Sequence, residues 1–417
     1  MTTDIHRQGG FNDSRGFLPW FGIALCVLVL KAPDALSNPQ FWAEDGIIFF
    51  LQQRTMGLGS LFEQMVAYLH LAPRLVAQLA APLPAWLVPL AYNAAAIAGG
   101  AASLAFLCTR LHDRVPGIVF LLAVLLSLTN GEIFGTLTNL QWFLQLFLLG
   151  ACFAPAGPRG PWRTPAMLAL VLIASLTGPF SVLLLLVLAA AVGVSLLPGA
   201  WLPTARLRVW LRGLDRWRLL MLAIGACAQV RVYLVHRIPG SNAMGMRDIA
   251  KDIGDVLQAH TFGSVVLPAS AFLLLLAAML VTLLRQSRHE SLADDRFLLL
   301  AMAGLGLLQV AAGMAKMGIP LEIAVSDRYV FVFKLFFWTA LAMLLQGLFR
   351  SRSQVLAISL AAIGFVALNH PGHLRRAPLE DKQWRTYAPA LDRGEKVDIP
   401  THPTPWVIPI PARQDAR

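Results

Sequence analysis

An all-α, polytopic membrane protein with about 11 transmembrane helices is the fold class this sequence predicts, and three observations predict it. Of the 417 residues, 57% are hydrophobic and only 14% charged, with a mean hydropathy of +0.63. Soluble domains run at about 45–50% apolar and about 25% charged, so a soluble globular chain is excluded. The apolar residues come in blocks near the length of about 20 that crosses a bilayer. Arginines stand between those blocks on every second connection, which is how a membrane protein fixes its orientation.

Residues 1–16 form a short N-terminus, and the run 17–33 reads as an uncleaved first helix because no A-x-A-like site ends it. Further spans are expected at 85–109, 115–130, 136–153, 165–178, 180–197, 218–234, 264–285, 297–313, 328–348 and 354–369. With the N-terminus in the cytoplasm, the inner connections hold Arg110 and Arg114, Arg159 and Arg163, Arg206 through Arg218, Arg285 through Arg296, and Arg350 and Arg352. The opposite turns around 129–135 and 177–180 carry no Lys or Arg. This positive-inside pattern fits a multi-pass protein of a bacterial inner membrane. Spans 165–178 and 180–197 meet at Thr177-Gly178-Pro179-Phe180, as one kinked helix or as two. About 33 apolar residues at 1.5 Å each would reach roughly 50 Å against a core near 30 Å, which favours two. Residues 17–369 then make the membrane domain and 370–417 a short irregular tail on the outer side, where 406–411 reads as an extended segment able to fold back over a cavity mouth.

The net charge of +11 and pI near 10.1 do not imply nucleic acid, because the cations are spread between apolar blocks. Cys26, Cys108, Cys152 and Cys227 lie in apolar runs with no CxxC spacing, so neither a disulfide framework nor a zinc site is indicated.

Chemistry concentrates in the first outer loop, 34–84, which holds Glu44 and Asp45. Adjacent carboxylates repel, which raises one pKa and suits a general base; the alternative is a solvated loop with a helix N-cap. On a helical wheel for 61–84, Glu63, His70, Arg74 and Gln78 fall within roughly 80°, a polar stripe on an apolar juxtamembrane helix kinked by Pro73. Asn139, Gln141 and Trp142 open the fourth span and offer amides beside an indole, a sugar-binding combination or an interfacial belt. At the tenth span Arg328 and Lys334, about 9 Å apart at helical rise, suit a phosphate; the alternative is structural, with Asp327 and Lys334 on one face. The loop 235–262 reads as an amphipathic helix over Asp248, Lys251, Asp252 and Asp255; Arg237 within it, and Lys316 after the ninth span, are candidate donor or acceptor contacts.

A first helix, a long outer loop opening on an acidic pair, a juxtamembrane helix with His near Pro, and a polytopic body resemble the GT-C superfamily of integral-membrane glycosyltransferases. The Tyr68-Leu69-His70-Leu71-Ala72-Pro73-Arg74 stretch resembles the His-Pro-Pro segment of protein O-mannosyltransferases, here with one proline three residues after His70. The Arg328-Tyr329 pair is similar to positions that contact lipid phosphate in such enzymes. The resemblance implies a polyprenyl-phosphate-linked sugar donor, a glycan, lipid or protein acceptor on the outer face, and inversion at the anomeric carbon. It implies Asp45, with Glu44, as the catalytic pair, Arg328, Lys334, Arg74 and Arg237 at the donor phosphate, and His70, Asn139, Gln141, Trp142 and Tyr329 at the substrate. No cofactor is firmly expected; Mg²⁺ or Mn²⁺ would suit the carboxylate oxygens, but two adjacent carboxylates do not define a coordination sphere. A transporter or flippase using Glu44, Asp45 and Lys334, or an O-antigen polymerase or ligase, is the alternative, although no convincing internal repeat marks a transporter.

Overall fold

In the computed structural model, residues 13–155, 163–198, 203–236, 244–286, 293–317, 327–349 and 351–412 are described. No water satisfies backbone amides inside lipid, so apolar blocks close their hydrogen bonds as helices. In chain order these are α1 (Asp13–Lys31), α2 (Asp34–Ser37), α3 (Leu51–Met56), α4 (Leu71–Ala80), α5 (Val88–Cys108), α6 (Arg114–Leu126), α7 (Gln141–Cys152), α8 (Arg163–Ser175) and α9 (Phe180–Ser195). There follow α10 (Thr204–Gly213), α11 (Arg216–His236), α12 (Met246–Phe262), α13 (Ala269–Gln286), α14 (Ala293–Met317), α15 (Phe331–Leu348), α16 (Arg352–Asn369) and α17 (Trp384–Asp392).

The chain is an all-α membrane protein. Six helices are long and apolar enough to cross a bilayer, Ala85–Cys108, Arg216–His236, Ala269–Gln286, Asp294–Lys316, Asp327–Leu348 and Arg352–Asn369. Gly16–Lys31, Arg114–Leu126, Thr164–Ser175 and Phe180–Ser195 are apolar but shorter. The α5, α14 and α15 helices form the interior, whereas α11, α13 and α16 bury only 22% of their apolar windows. Their outward residues, Leu274 and Phe365 among them, form apolar surface of the kind lipid covers.

Two ends of the bundle are defined by polar ties. At one, the turn after α5 binds α14 through the His112 amide and Nδ1, both on Asp295, and reaches α15 and α16 through Asp113, which accepts from Gln346 and Arg352. At the other lie the segment 32–84, the connection 127–140, the turn between α8 and α9 and the residues after α16. The connection between α6 and α7 is longer and more buried than the expected turn, with Ser127, Thr129, Thr136, Thr138 and Asn139 all inside. The α8 and α9 helices are separate, and Gly178 between them sits at φ +81, where a side chain would strike Gln141.

Two expectations are corrected. The stretch 61–84 is not one helix: a short hairpin, β1 (Gln64–Met65) with β2 (Tyr68–Leu69), turns through Val66 and Ala67 at positive φ before α4 begins. Pro73 falls in the first turn of α4, where its missing N–H costs nothing, so it starts the helix instead of kinking it. The stripe Glu63, His70, Arg74 and Gln78 is thereby split, with Arg74 and Gln78 alone on the helix. Nor is the tail irregular. It folds into α17 and an antiparallel pair, β3 (Val397–Pro400) with β4 (Val407–Ile410), whose Ile399 and Ile408 join Phe41, Phe50, Tyr92 and Trp384 in a second apolar core.

Candidate functional site

The acidic pair sits on a strained turn. Ala43 has φ +35, its amide donates to His402 of the tail, and Asp45 N–H returns to the Trp42 carbonyl at 2.7 Å. Behind it the chain takes a wide π-helical turn, Asp45–Phe50, a rare geometry that recurs at functional positions. Asp45 points inward and is fully buried; its Oδ2 accepts from Leu137 N–H at 3.0 Å and its Oδ1 from Thr138 N–H at 2.6 Å. Burial pushes this carboxyl up to about 7, against the pull of those two amides. Each of its oxygens thus bonds the 127–140 connection, which Asp45 clamps to the first loop.

Glu44, half-buried, is the carboxylate left facing outward. Burial raises its pKa, the nearby Glu132 raises it further, and Arg328 opposes both. Arg328 pairs with Glu132 while both keep part of their surface in solvent, 24% and 19%. The Arg328 guanidinium lies 5.5 Å from the Tyr329 ring, which meets Trp142 edge-on at 5.3 Å. Three distant segments thus place a carboxylate, an ion pair and a phenol ring beside one another. Gln141 is half-buried on the same connection, its Nε2 donating to Thr138 O at 3.3 Å and its Oε1 against Gly178.

The α8–α9 turn carries the site on to His70 and Arg74. Leu71 N–H donates to Leu176 O at 3.1 Å, Gly178 N–H to Leu69 O at 2.9 Å, and Ala72 N–H to Thr177 Oγ1 at 2.9 Å. His70 is 1% exposed, with the Met65 backbone near its ring but no hydrogen bond of good geometry at either nitrogen. Burial, aided by Arg74, lowers it to about 3, so the ring is neutral. Arg74 is 1% exposed, donates from Nη1 to Gln52 Oε1 at 2.8 Å and stacks on Phe49, yet its Nε and Nη2 have no acceptor. Buried donors normally find partners, so two unmatched nitrogens on a buried cation are unusual.

Other expected contacts are internal. Lys334 is 1% exposed, bonded to Leu128 O at 2.6 Å and to Asp327, which also faces His260 Nδ1 at 3.4 Å. It is consumed by that ion pair, which corrects its assignment to a phosphate. Trp142 donates to Asn139 Oδ1 at 3.1 Å, and Asn139 Nδ2 to Glu132 O at 3.0 Å and Thr136 Oγ1 at 2.9 Å. Both brace the connection that presents Glu132 and offer no free group to a sugar. Tyr329 is half-buried at the rim. Lys316 Nζ meets Tyr68 OH at 3.2 Å, and Arg237 lies outside the described residues. Among the described residues no group of three or more His, Cys, Asp or Glu is placed to hold a metal ion.

Sequence reasoning missed Glu132 and Arg376. Glu132 is the lone carboxylate of a turn without Lys or Arg, a signal that was present. Arg376 comes from the tail, donates to Phe134 O at 3.0 Å and to Asp34 at 2.5 Å, and lies within electrostatic reach of Asp45. Comparisons with protein-family models, with curated proteins and with solved structures returned no match.

Proposed function

We propose that this protein is a membrane glycosyltransferase of GT-C type that moves a sugar from a polyprenyl-phosphate donor to a glycan, lipid or protein hydroxyl on the outer face of the membrane. In this reading the chain crosses eleven times, with the N-terminus in the cytoplasm of a bacterial inner membrane and the Asp45 end outside. The half-exposed Glu44 carboxylate beside the Arg328–Glu132 pair carries the proposal.

Glu44 removes the proton from the acceptor hydroxyl, and its raised pKa makes it a stronger base. The acceptor oxygen attacks the anomeric carbon as the bond to the phosphate oxygen breaks, so the electron pair and developing charge leave on the lipid phosphate. Arg328, held beside Glu132, stabilises that developing charge electrostatically. Arg74, with two unmatched nitrogens, and neutral His70 extend the anion-binding surface along the loop. Asp45 positions Glu44 by fixing the turn that bears it.

Transfer of labelled sugar from polyprenyl-phosphate donors in reconstituted membranes tests the reading. Glu44→Gln is expected to lose about 10²–10⁴-fold in rate, and Arg328→Gln to weaken leaving-group stabilisation. Full activity of Glu44→Gln sinks the assignment of the base. A second reading, transport of a lipid-linked or anionic substrate, draws on the buried His260–Asp327–Lys334 chain between helices. Substrate movement without transfer in the same vesicles would favour it.

A further inference from the structure

Helix α10 lies at the end of the bundle away from Asp45, joining the end of α9 to the start of α11. Leu207 and Trp210 are buried in the main core, while Arg208, Val209 and Arg212 are exposed. Arg208 and Arg212 are four apart and share a face. Asp215 is committed to the next helix: it accepts from Trp217 N–H at 2.9 Å and sits 3.7 Å from Arg218. Arg216 is exposed, its guanidinium 5.6 Å from the Trp217 ring. Among the described residues no carboxylate pairs with Arg208, Arg212 or Arg216.

These cations have an apolar neighbour of defined direction. From Trp217, 47% exposed, a bare stripe runs along α11 through Leu220 at 44% and Ile224 at 46%. Residues three and four apart stack along one helix face, so this stripe is the side that α11 turns to lipid. Trp217 caps it at the depth where indoles collect, between acyl chains and headgroups. Arg216 immediately precedes that ring, and Arg208 and Arg212 stand on the short helix that leads into α11.

We propose that Arg208, Arg212 and Arg216, with Trp217 beneath them, bind the phosphate of an anionic phospholipid whose acyl chains lie along the Trp217–Ile224 stripe of α11. Planar guanidinium groups match phosphate oxygens bidentately, and basic residues on an amphipathic helix at a membrane surface attract anionic lipid. A soluble phosphate satisfies the arginines but leaves the stripe uncovered. The site is at the far end from Glu44 and does not depend on the glycosyl-transfer reading.

The test uses the full chain purified in detergent and titrated with phosphatidylglycerol or phosphatidylcholine, reading retained lipid by native mass spectrometry and the thermal midpoint. Phosphatidylglycerol is expected to bind more tightly and to raise the midpoint. Each Arg→Gln change is expected to cost about fivefold in its affinity, and R208Q/R212Q/R216Q about a hundredfold. The charge-keeping R208K/R212K/R216K should lose far less, and single R212Q serves if the triple variant does not fold. Equal retention of the two lipids by the wild type, an unchanged response in R212Q and the triple variant, or an equal shift with inorganic phosphate alone would overturn the proposal.

Discussion

Asp34 takes Arg376 Nη2 at 2.5 Å and Leu379 N–H at 3.1 Å, with both side chains of the pair almost free of solvent. Removing one partner of a buried pair leaves the other charge unmatched, at a cost of about 3–5 kcal/mol. Asp34→Asn should therefore lower the thermal midpoint of the purified protein strongly, and a midpoint within a degree of wild type would show that the pair is dispensable. Asp45 predicts a pH dependence. Its folded pKa, about 7, lies above the ordinary 3.8, so the folded state holds its proton more tightly than the unfolded chain. Its contribution is full below about pH 4 and is lost as pH rises to 7. Wild type minus Asp45→Asn stability should fall across that window and flatten above it; a difference that grows with pH would mean that the two amides outweigh burial.

At the scale of elements, Gly178 joins two helices and supports two parts of the site. Its φ of +81 disfavours a side chain, and a methyl there would push against Gln141. Gly178→Ala should cost about 1–3 kcal/mol and loosen the hairpin that bonds to the turn. Gly193, inside α9 with open space around it, is the control; Gly193→Ala should stabilise by about 0.5–1 kcal/mol. Comparable loss in both would point to helix packing instead of the turn. The helices themselves were legible in the sequence because lipid allows an apolar block few other structures. The elements between them were not, since Val66 and Ala67 at positive φ carry no Gly, Asn or Asp to announce a turn. The 127–140 connection reads as polar loop, and only tertiary structure reveals that its amides receive Asp45.

For the whole molecule, the tail is the part whose role sequence conveyed least. Its composition suggested loose chain, yet its apolar residues are too scattered to show that they complete a core with Phe41, Phe50 and Tyr92. Of the site, the acidic pair and Arg328 were visible as isolated residues; that Glu44, not Asp45, turns outward depends on partners some ninety positions away. A chain ending at Asn369 should keep its helices by circular dichroism, but residues 40–50 should exchange amide hydrogen and be cleaved by protease far faster than in the full protein. Unchanged protection would mean that the first loop holds itself.

That dependence on residues 374–410 also orders events during synthesis. Asp34 must wait for a partner 342 positions downstream, which at an elongation rate of about 20 residues per second is on the order of 17 s of synthesis. Throughout that interval the helices can insert while the loop bearing Glu44 lacks its brace, so a nascent chain stalled before the tail is inserted but unfinished.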